Sequence, residues 1–453
     1  MTVLRTRHWK LWMAVIAAVI FWTFGTGFDR QLAAENEETY EGLKLFSEVI
    51  ELIQKNYVDE VDSKDLIEKA VQGMVRSLDP HSALLPPEAF EDLSIDTKGE
   101  FSGIGIHITM RDGFVTVISP IEGTPAYDAG IQAMDRIVRV DDKEVTELRE
   151  AVNMMRGPKG SSVKVTIMRE GVADPIEFNL VRDVIPIESV RASKLKPGYA
   201  YIRVTNFNSN TVDDLKAALK EIESDPQPLK GLILDLRDNG GGLLDQSIKV
   251  ADLFLDKGVI LSIKGRQPGN VKEFSATPND VVRDYPIVIL INGGSASASE
   301  IVVGALQDHH RALVLGTTTF GKGSVQTVET LREGYGLKLT IARYYTPSGR
   351  SIQAKGIEPD IVVRKRFLDE SELQNEEDAR LKEKDLRNHL EAFPQQELES
   401  PPETQSDPED EMQQQRLLEM QHGPLTPEKL RLDYQVQRAL EILVSYDIFK
   451  NRS

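Results

Sequence analysis

Apolar positions along this 453-residue chain change their period several times, and each change marks a new kind of element. Within 40–92, Leu43, Phe46, Val49, Ile50 and Ile53 recur at helical spacing, and a second helix is expected over 63–78. It stops at Leu78-Asp79-Pro80-His81-Ser82, a proline break in which His81 reads as a helix-end polar residue. From Phe101 to Asp183 the period shortens. Strand signals lie at 114–118, 136–140 and 163–168, with a helix over 147–155. From Ile185 to Arg364 strands and helices alternate: strand 200–204, helix 212–223, strand 231–236, helix 244–255, strand 287–291, then a helix running to Asp308 and strands at 337–343 and 361–364. That alternation predicts an α/β core. Ile287 to Ile291 is continuously apolar, as expected of a strand covered on both faces. Periodicity fades after Phe393 and returns through Leu432, Val436, Leu440, Leu443 and Val444, predicting a terminal amphipathic helix over 430–449.

Composition sharpens this picture at the two ends. Arg5, Arg7, His8 and Lys10 precede an apolar run over 11–28, so the N-terminus is expected inside and the body exported. No clean small-residue cleavage site follows, which favours an uncleaved anchor over a cleaved signal peptide. The net charge of −18 argues against nucleic acid as a partner. It is concentrated in 367–424, with 17 acidic against 5 basic residues, and that Glu-, Gln- and Pro-rich stretch reads as a mobile tether. The absence of cysteine excludes disulfides, thiolate metal sites and a lipid-modified N-terminal cysteine.

The candidate chemistry sits in three short stretches. Ser297-Ala298-Ser299-Glu300 opens a helix directly after the 287–291 strand and Gly293-Gly294. One reading is a capping box; the other is a nucleophile exposed at a sharp strand-to-helix turn. Gly321-Lys322-Gly323-Ser324-Val325-Gln326 sets a lysine between glycines, either an ordinary turn residue or a base for the serine. A serine hydroxyl needs a neighbour to accept its proton, and lysine can do so only as the neutral amine. Gln326, four residues on, shares a face with Lys322 at strand or helix period and is otherwise an ordinary strand residue. Asp235-Leu236-Arg237-Asp238-Asn239-Gly240-Gly241-Gly242 ends a strand in a glycine turn, which is either a flexible connection or a set of backbone donors. His309 and His310 are rejected as the base, because twelve helical residues separate His309 from Ser297 by roughly 18 Å.

The segments SASASEI, FGKGSVQ and DLRDNGGG together resemble the carboxyl-terminal processing (tail-specific) proteases, peptidase family S41. The resemblance implies Ser297 as nucleophile, Lys322 as base and Gln326 as their orienting partner. Oxyanion donors are implied at Ala298 and at Gly241 or Gly242. It implies no metal and no organic cofactor. It further implies an α/β (α+β) multidomain fold, with a PDZ domain ahead of a crotonase/Clp-like serine protease core and helical regions at both ends. The expected divisions are 1–34 signal or anchor, 35–98 helical region, 99–183 PDZ domain, 184–366 peptidase core, 367–424 tether and 425–453 terminal helix. In the PDZ domain, Gly103-Ile104-Gly105-Ile106 resembles the loop that captures a C-terminal carboxylate, beside a strand that accepts the peptide. Protein substrates bound by their C-termini, a lipoprotein adaptor, homo-oligomerisation through the terminal helices and a periplasmic location complete what the resemblance suggests; a PDZ module ahead of the core and a long tether to a terminal helix further predict gating by PDZ movement. The alternative function is a non-catalytic PDZ scaffold.

Overall fold

The computed structural model describes residues 37, 39–267, 269, 271–365, 430, 431 and 433–450. The expected anchor at 11–28 and the tether at 367–424 lie outside these. The chain divides into two compact units, 1–77 and 78–453. In the first, helix α1 covers 39–56 and is followed by α2 (Ser63–Arg76). The Asp62 side chain accepts the Lys64 N–H at 3.0 Å and starts α2, satisfying one of the donors a helix leaves open at its N-terminus. The apolar stripe of α1, including Leu43, Phe46 and Val49, is exposed.

The second unit opens with two elements that periodicity did not separate from the helical region, strand β1 (Ala83–Leu85) and helix α3 (Pro87–Lys98). Pro86 and Pro87 divide them, the second at the first helical position, where its missing N–H costs nothing. Next come β2 (Glu100–Gly103), β3 (Ile106–Arg111), β4 (Phe114–Pro120), α4 (Pro125–Asp128), β5 (Arg136–Val140), β6 (Lys143–Glu144), α5 (Leu148–Met155), β7 (Ser162–Met168), β8 (Ile176–Val181) and β9 (Asp183–Pro186). The sheet order β3-β4-β5-β7-β8 leaves β3 at an edge, with α5 packed against it. Val115, Val117, Ile137, Val163, Val165 and Ile167 build a core confined to this module. Its entry and exit strands, β2 and β9, pair antiparallel as a two-stranded ribbon.

The remaining elements are β10 (Val190–Lys196), β11 (Tyr199–Val204), α6 (Thr211–Glu223), β12 (Gly231–Asp235), α7 (Leu244–Asp252), β13 (Val259–Gly265), β14 (Val271–Ser275), β15 (Ile287–Ile291), α8 (Ala298–Asp308), β16 (Ala312–Gly316), β17 (Ser324–Thr330), β18 (Gly336–Tyr345), β19 (Ile361–Val362) and α9 (Tyr434–Lys450). A six-stranded sheet runs β10-β11-β12-β15-β16-β19, parallel from β11 onward. Leu232, Leu234, Ile287 and Ile289 pack toward α6, α7 and α8. The alternate residues Ile233, Val288 and Leu290 meet Val436, Ala439 and Leu443 of α9 on the opposite face. Burial on both faces explains why the 287–291 run has no polar break. A second sheet runs β1-β18-β13-β14, with β17 on β18, and meets α8 through β13.

A buried ionic cluster stitches α9 to β12. Arg237 sits 2.6 Å from Asp235 and 2.8 Å from Asp433, and donates at 2.7 Å to Gln435 Oε1. The Tyr201 hydroxyl donates to Asp235 at 2.6 Å. Burial alone pushes Asp235 toward neutrality, but Arg237 holds it below the usual carboxylate range.

Candidate active site

The site begins where β15 runs out. Asn292 Oδ1 accepts the N–H groups of Asp238 and Gly294, and the Ser295 hydroxyl donates to Leu236 O at 2.7 Å. These bonds fold the chain sharply into Ser297, whose φ of 54° and ψ of −113° are rare for any residue with a side chain. Such a conformation projects a serine from the tip of a strand-to-helix elbow. Ala298 then opens α8, placing the positive end of that helix beside Ser297.

The glycine turn is sewn to this elbow by Asn239. Its Nδ2 donates to Val204 O, its Oδ1 accepts the Gly241 N–H, and its carbonyl oxygen accepts both the Ala296 N–H and the Ser299 hydroxyl. A Cβ on Gly241 would stand 2.9 Å from Ser297 Cβ, so close approach, together with a φ of 106°, demands glycine there. Gly241 thus spends its N–H on Asn239. Gly242 lines the cavity and pairs along its other side with Phe207.

Lys322 lies in the connection between β16 and β17, half-buried. Its placement depends on Glu300, which is fully buried. Glu300 Oε2 accepts the Ser297 N–H at 2.8 Å and the Lys322 N–H at 2.9 Å. Oε1 accepts the Gly321 N–H at 2.8 Å and the Thr319 hydroxyl at 2.5 Å. Burial pushes this carboxyl up to about 7, while those four donors pull the other way. From the opposite side the Tyr344 hydroxyl sits between the carbonyl oxygens of Ser297 and Lys322. The two residues are therefore joined through their main chains, by a carboxylate at the N–H groups and a phenol at the carbonyls.

Ser297, Ala298, Gly242, Lys322 and Gln326 line one cavity of about 1000 Å³, and Gly241 packs directly behind Ser297. Strand parity relates Gln326 to Ser324 and not to Lys322, because Lys322 precedes β17. The register shift opposite Gln326 skips Ile341 of β18 while β17 keeps its alternation, so Gln326 shares a face with Ser324. Its Nε2 donates to Ser324 Oγ at 2.9 Å and Thr340 Oγ1 at 3.2 Å. His309 closes the far end of α8, with Nε2 against Val259 O at 2.7 Å, away from this cavity. In the module over 100–186, Gly105 has φ 80° and Ile106 begins the edge strand β3. The Ile104 side chain is buried in the module core, so only its backbone remains for a ligand.

Two participants escaped the sequence reading. Glu300 was legible as a helix cap, and its S-x-x-E spacing was the available signal; its hold on Lys322, 22 residues on, had none. Tyr344 carried no signal beyond its strand.

Three family models match the chain: Peptidase family S41 over 198–363, PDZ domain over 102–180, and the activating protease CtpB N-terminal domain over 26–88. A carboxy-terminal-processing protease of Bartonella bacilliformis is 45% identical over 388 residues, spanning 83% of this chain and 88% of its own. The carboxy-terminal processing protease CtpA of Bacillus subtilis is 35% identical over 352 residues, spanning 77% and 74%. Among solved structures, the photosystem II D1 C-terminal processing protease is 32% identical, covers 71% of this chain and 92% of its own, and superposes with a TM-score of 0.41.

Proposed function

This chain belongs to the carboxy-terminal processing proteases of peptidase family S41, and from that premise we propose that it cleaves exported proteins with a Ser297–Lys322 dyad after engaging their C-termini through its PDZ domain. What most supports the reading is the shared carboxylate: Glu300 fixes the main chains of both residues at the wall of one cavity. The neutral Lys322 amine takes the proton of the Ser297 hydroxyl, and Oγ forms a bond to the peptide carbonyl carbon. The resulting oxyanion takes the N–H groups of Ala298 and Gly242, the latter preferred because Gly241 donates to Asn239. The Lys322 ammonium then protonates the leaving amine as the C–N bond breaks. Water, deprotonated by the same amine, attacks the acyl-enzyme and releases the new carboxyl terminus.

Peptide capture follows PDZ physics. The free edge of β3 takes the peptide as an added strand, with the Gly103–Ile106 backbone at its carboxylate. Export is part of the reading and rests on Arg5, Arg7, Lys10 and the apolar run over 11–28. The test is cleavage of a peptide-tagged unfolded protein by wild type, Ser297→Ala and Lys322→Ala. Each variant is expected to lose activity by about 10³-fold or more. Undiminished cleavage by either would overturn the dyad, and binding without cleavage by wild type would favour a scaffold.

A further inference from the structure

The Leu78–Ser82 break after α2 does more than end a helix. Asp79, only 4% exposed, accepts the N–H groups of His81 and Ser82 on Oδ1 at 2.8 and 2.9 Å. Its Oδ2 accepts the Ser82 hydroxyl at 2.7 Å. It also reaches across to β18, where the Thr340 hydroxyl donates to Oδ1 at 3.1 Å, while the Thr340 N–H donates to Ser82 Oγ at 3.1 Å. Thr340 Oγ1 is in turn an acceptor for Gln326 Nε2.

We propose that Asp79, Ser82 and Thr340 form a positioning relay that fixes which way round the Gln326 amide sits, keeping its NH2 turned into the protein and its Oε1 as the acceptor available to the Lys322 ammonium. The argument is one of hydrogen-bond direction. A carboxylate carries no hydrogen, so the Thr340 hydroxyl has to donate to Asp79. That leaves Thr340 Oγ1 only lone pairs toward Gln326, and an amide oxygen there would face another acceptor. Nε2 must therefore point at Thr340, where it also satisfies Ser324 Oγ at 2.9 Å. With both amide hydrogens committed, the polar atom left is Oε1. Burial raises the Asp79 carboxyl, but its bonds from Ser82, His81 and Thr340 outweigh that and hold it below the usual range, so it remains an acceptor near neutral pH.

The inference rests on the Ser297–Lys322 reading, and its role is positioning; none of the three relay residues needs to touch substrate. It is tested on the full chain with dye-labelled casein. Thr340→Val keeps the shape and removes the hydroxyl; it is expected to lower kcat by about tenfold while KM stays within about twofold. Thr340→Ser is expected to restore kcat to within about threefold of wild type, which a purely steric role for the methyl group would not allow. In a Gln326→Ala background, Thr340→Val should add less than about a twofold loss, because the relay then has nothing to orient. If Thr340→Val fails to fold by circular dichroism, Thr340→Ala and Asp79→Asn carry the same coupling test. Full kcat in Thr340→Val, or losses that multiply independently with Gln326→Ala at unchanged Tm, would overturn the relay. Full activity in Lys322→Ala would instead sink the dyad, whatever Thr340 does, so the two failures are told apart.

Discussion

At the scale of single residues, the decisive group is a carboxylate, Glu300, which lies within the wall and not at the cavity surface. Every one of its four partners is a donor, so Glu300→Gln replaces an acceptor by a donor and leaves at least one buried N–H unpaired, at about 1–3 kcal/mol. The expected result is a kcat lowered by about tenfold or more, together with a lower Tm. Its titration gives a second, independent reading. Burial raises the carboxyl from 4.5 to about 7, so the folded chain holds a proton that the unfolded chain releases over that window. Stability from this group is present in full below pH 4.5 and is lost as pH rises to about 7, by roughly 3 kcal/mol. Denaturant titrations across that range should show the decline in wild type and a flatter profile in Glu300→Gln. A profile with equal slope in both would place the titration elsewhere.

At the scale of elements, α9 bears on the strand that carries the glycine turn. Gln435 accepts from Arg237 and donates to Val363 O at 2.6 Å. Gln435→Leu strands both groups in the interior, and thermal denaturation should show Tm lower by about 3–10 °C. Elements with strong, uninterrupted patterns could be read from residues alone: β12 and β15 through continuous apolar runs, α6 and α8 through helical spacing. The boundary elements β1 and α3 could not: β1 has three residues and pairs with β18, some 250 residues away, and α3 has no fully buried residue to mark an apolar stripe. For Gln326 the face-sharing reason does not apply, because Lys322 lies before β17, where the connection from β16 and not strand period sets its place. Ser297 and Lys322 stood out because the glycines around them are needed for close backbone approach, a requirement that does appear in one-dimensional sequence.

At the scale of the whole molecule, charge is distributed against the average. The chain carries −18 overall, yet Lys98, Lys249, Lys272 and Lys338 line the cavity beside Lys322, with Asp245 the one acidic residue among its described lining. Focused positive potential in a cleft raises the encounter rate of negative ligands and is screened by salt. For peptides with acidic residues near the cleaved bond, kcat/KM should fall several-fold between about 50 and 500 mM salt, while neutral peptides change little. Equal salt profiles for both peptides would show that these lysines do not steer. The way Ser297 and Lys322 are held has one practical result. Their positions are set by bonds to main-chain N–H and C=O groups, which side-chain truncation leaves in place. Ser297→Ala should thus keep a fully formed cleft that grips its natural proteins without releasing them, and what remains attached after gentle recovery from cells would be the catalogue of physiological substrates.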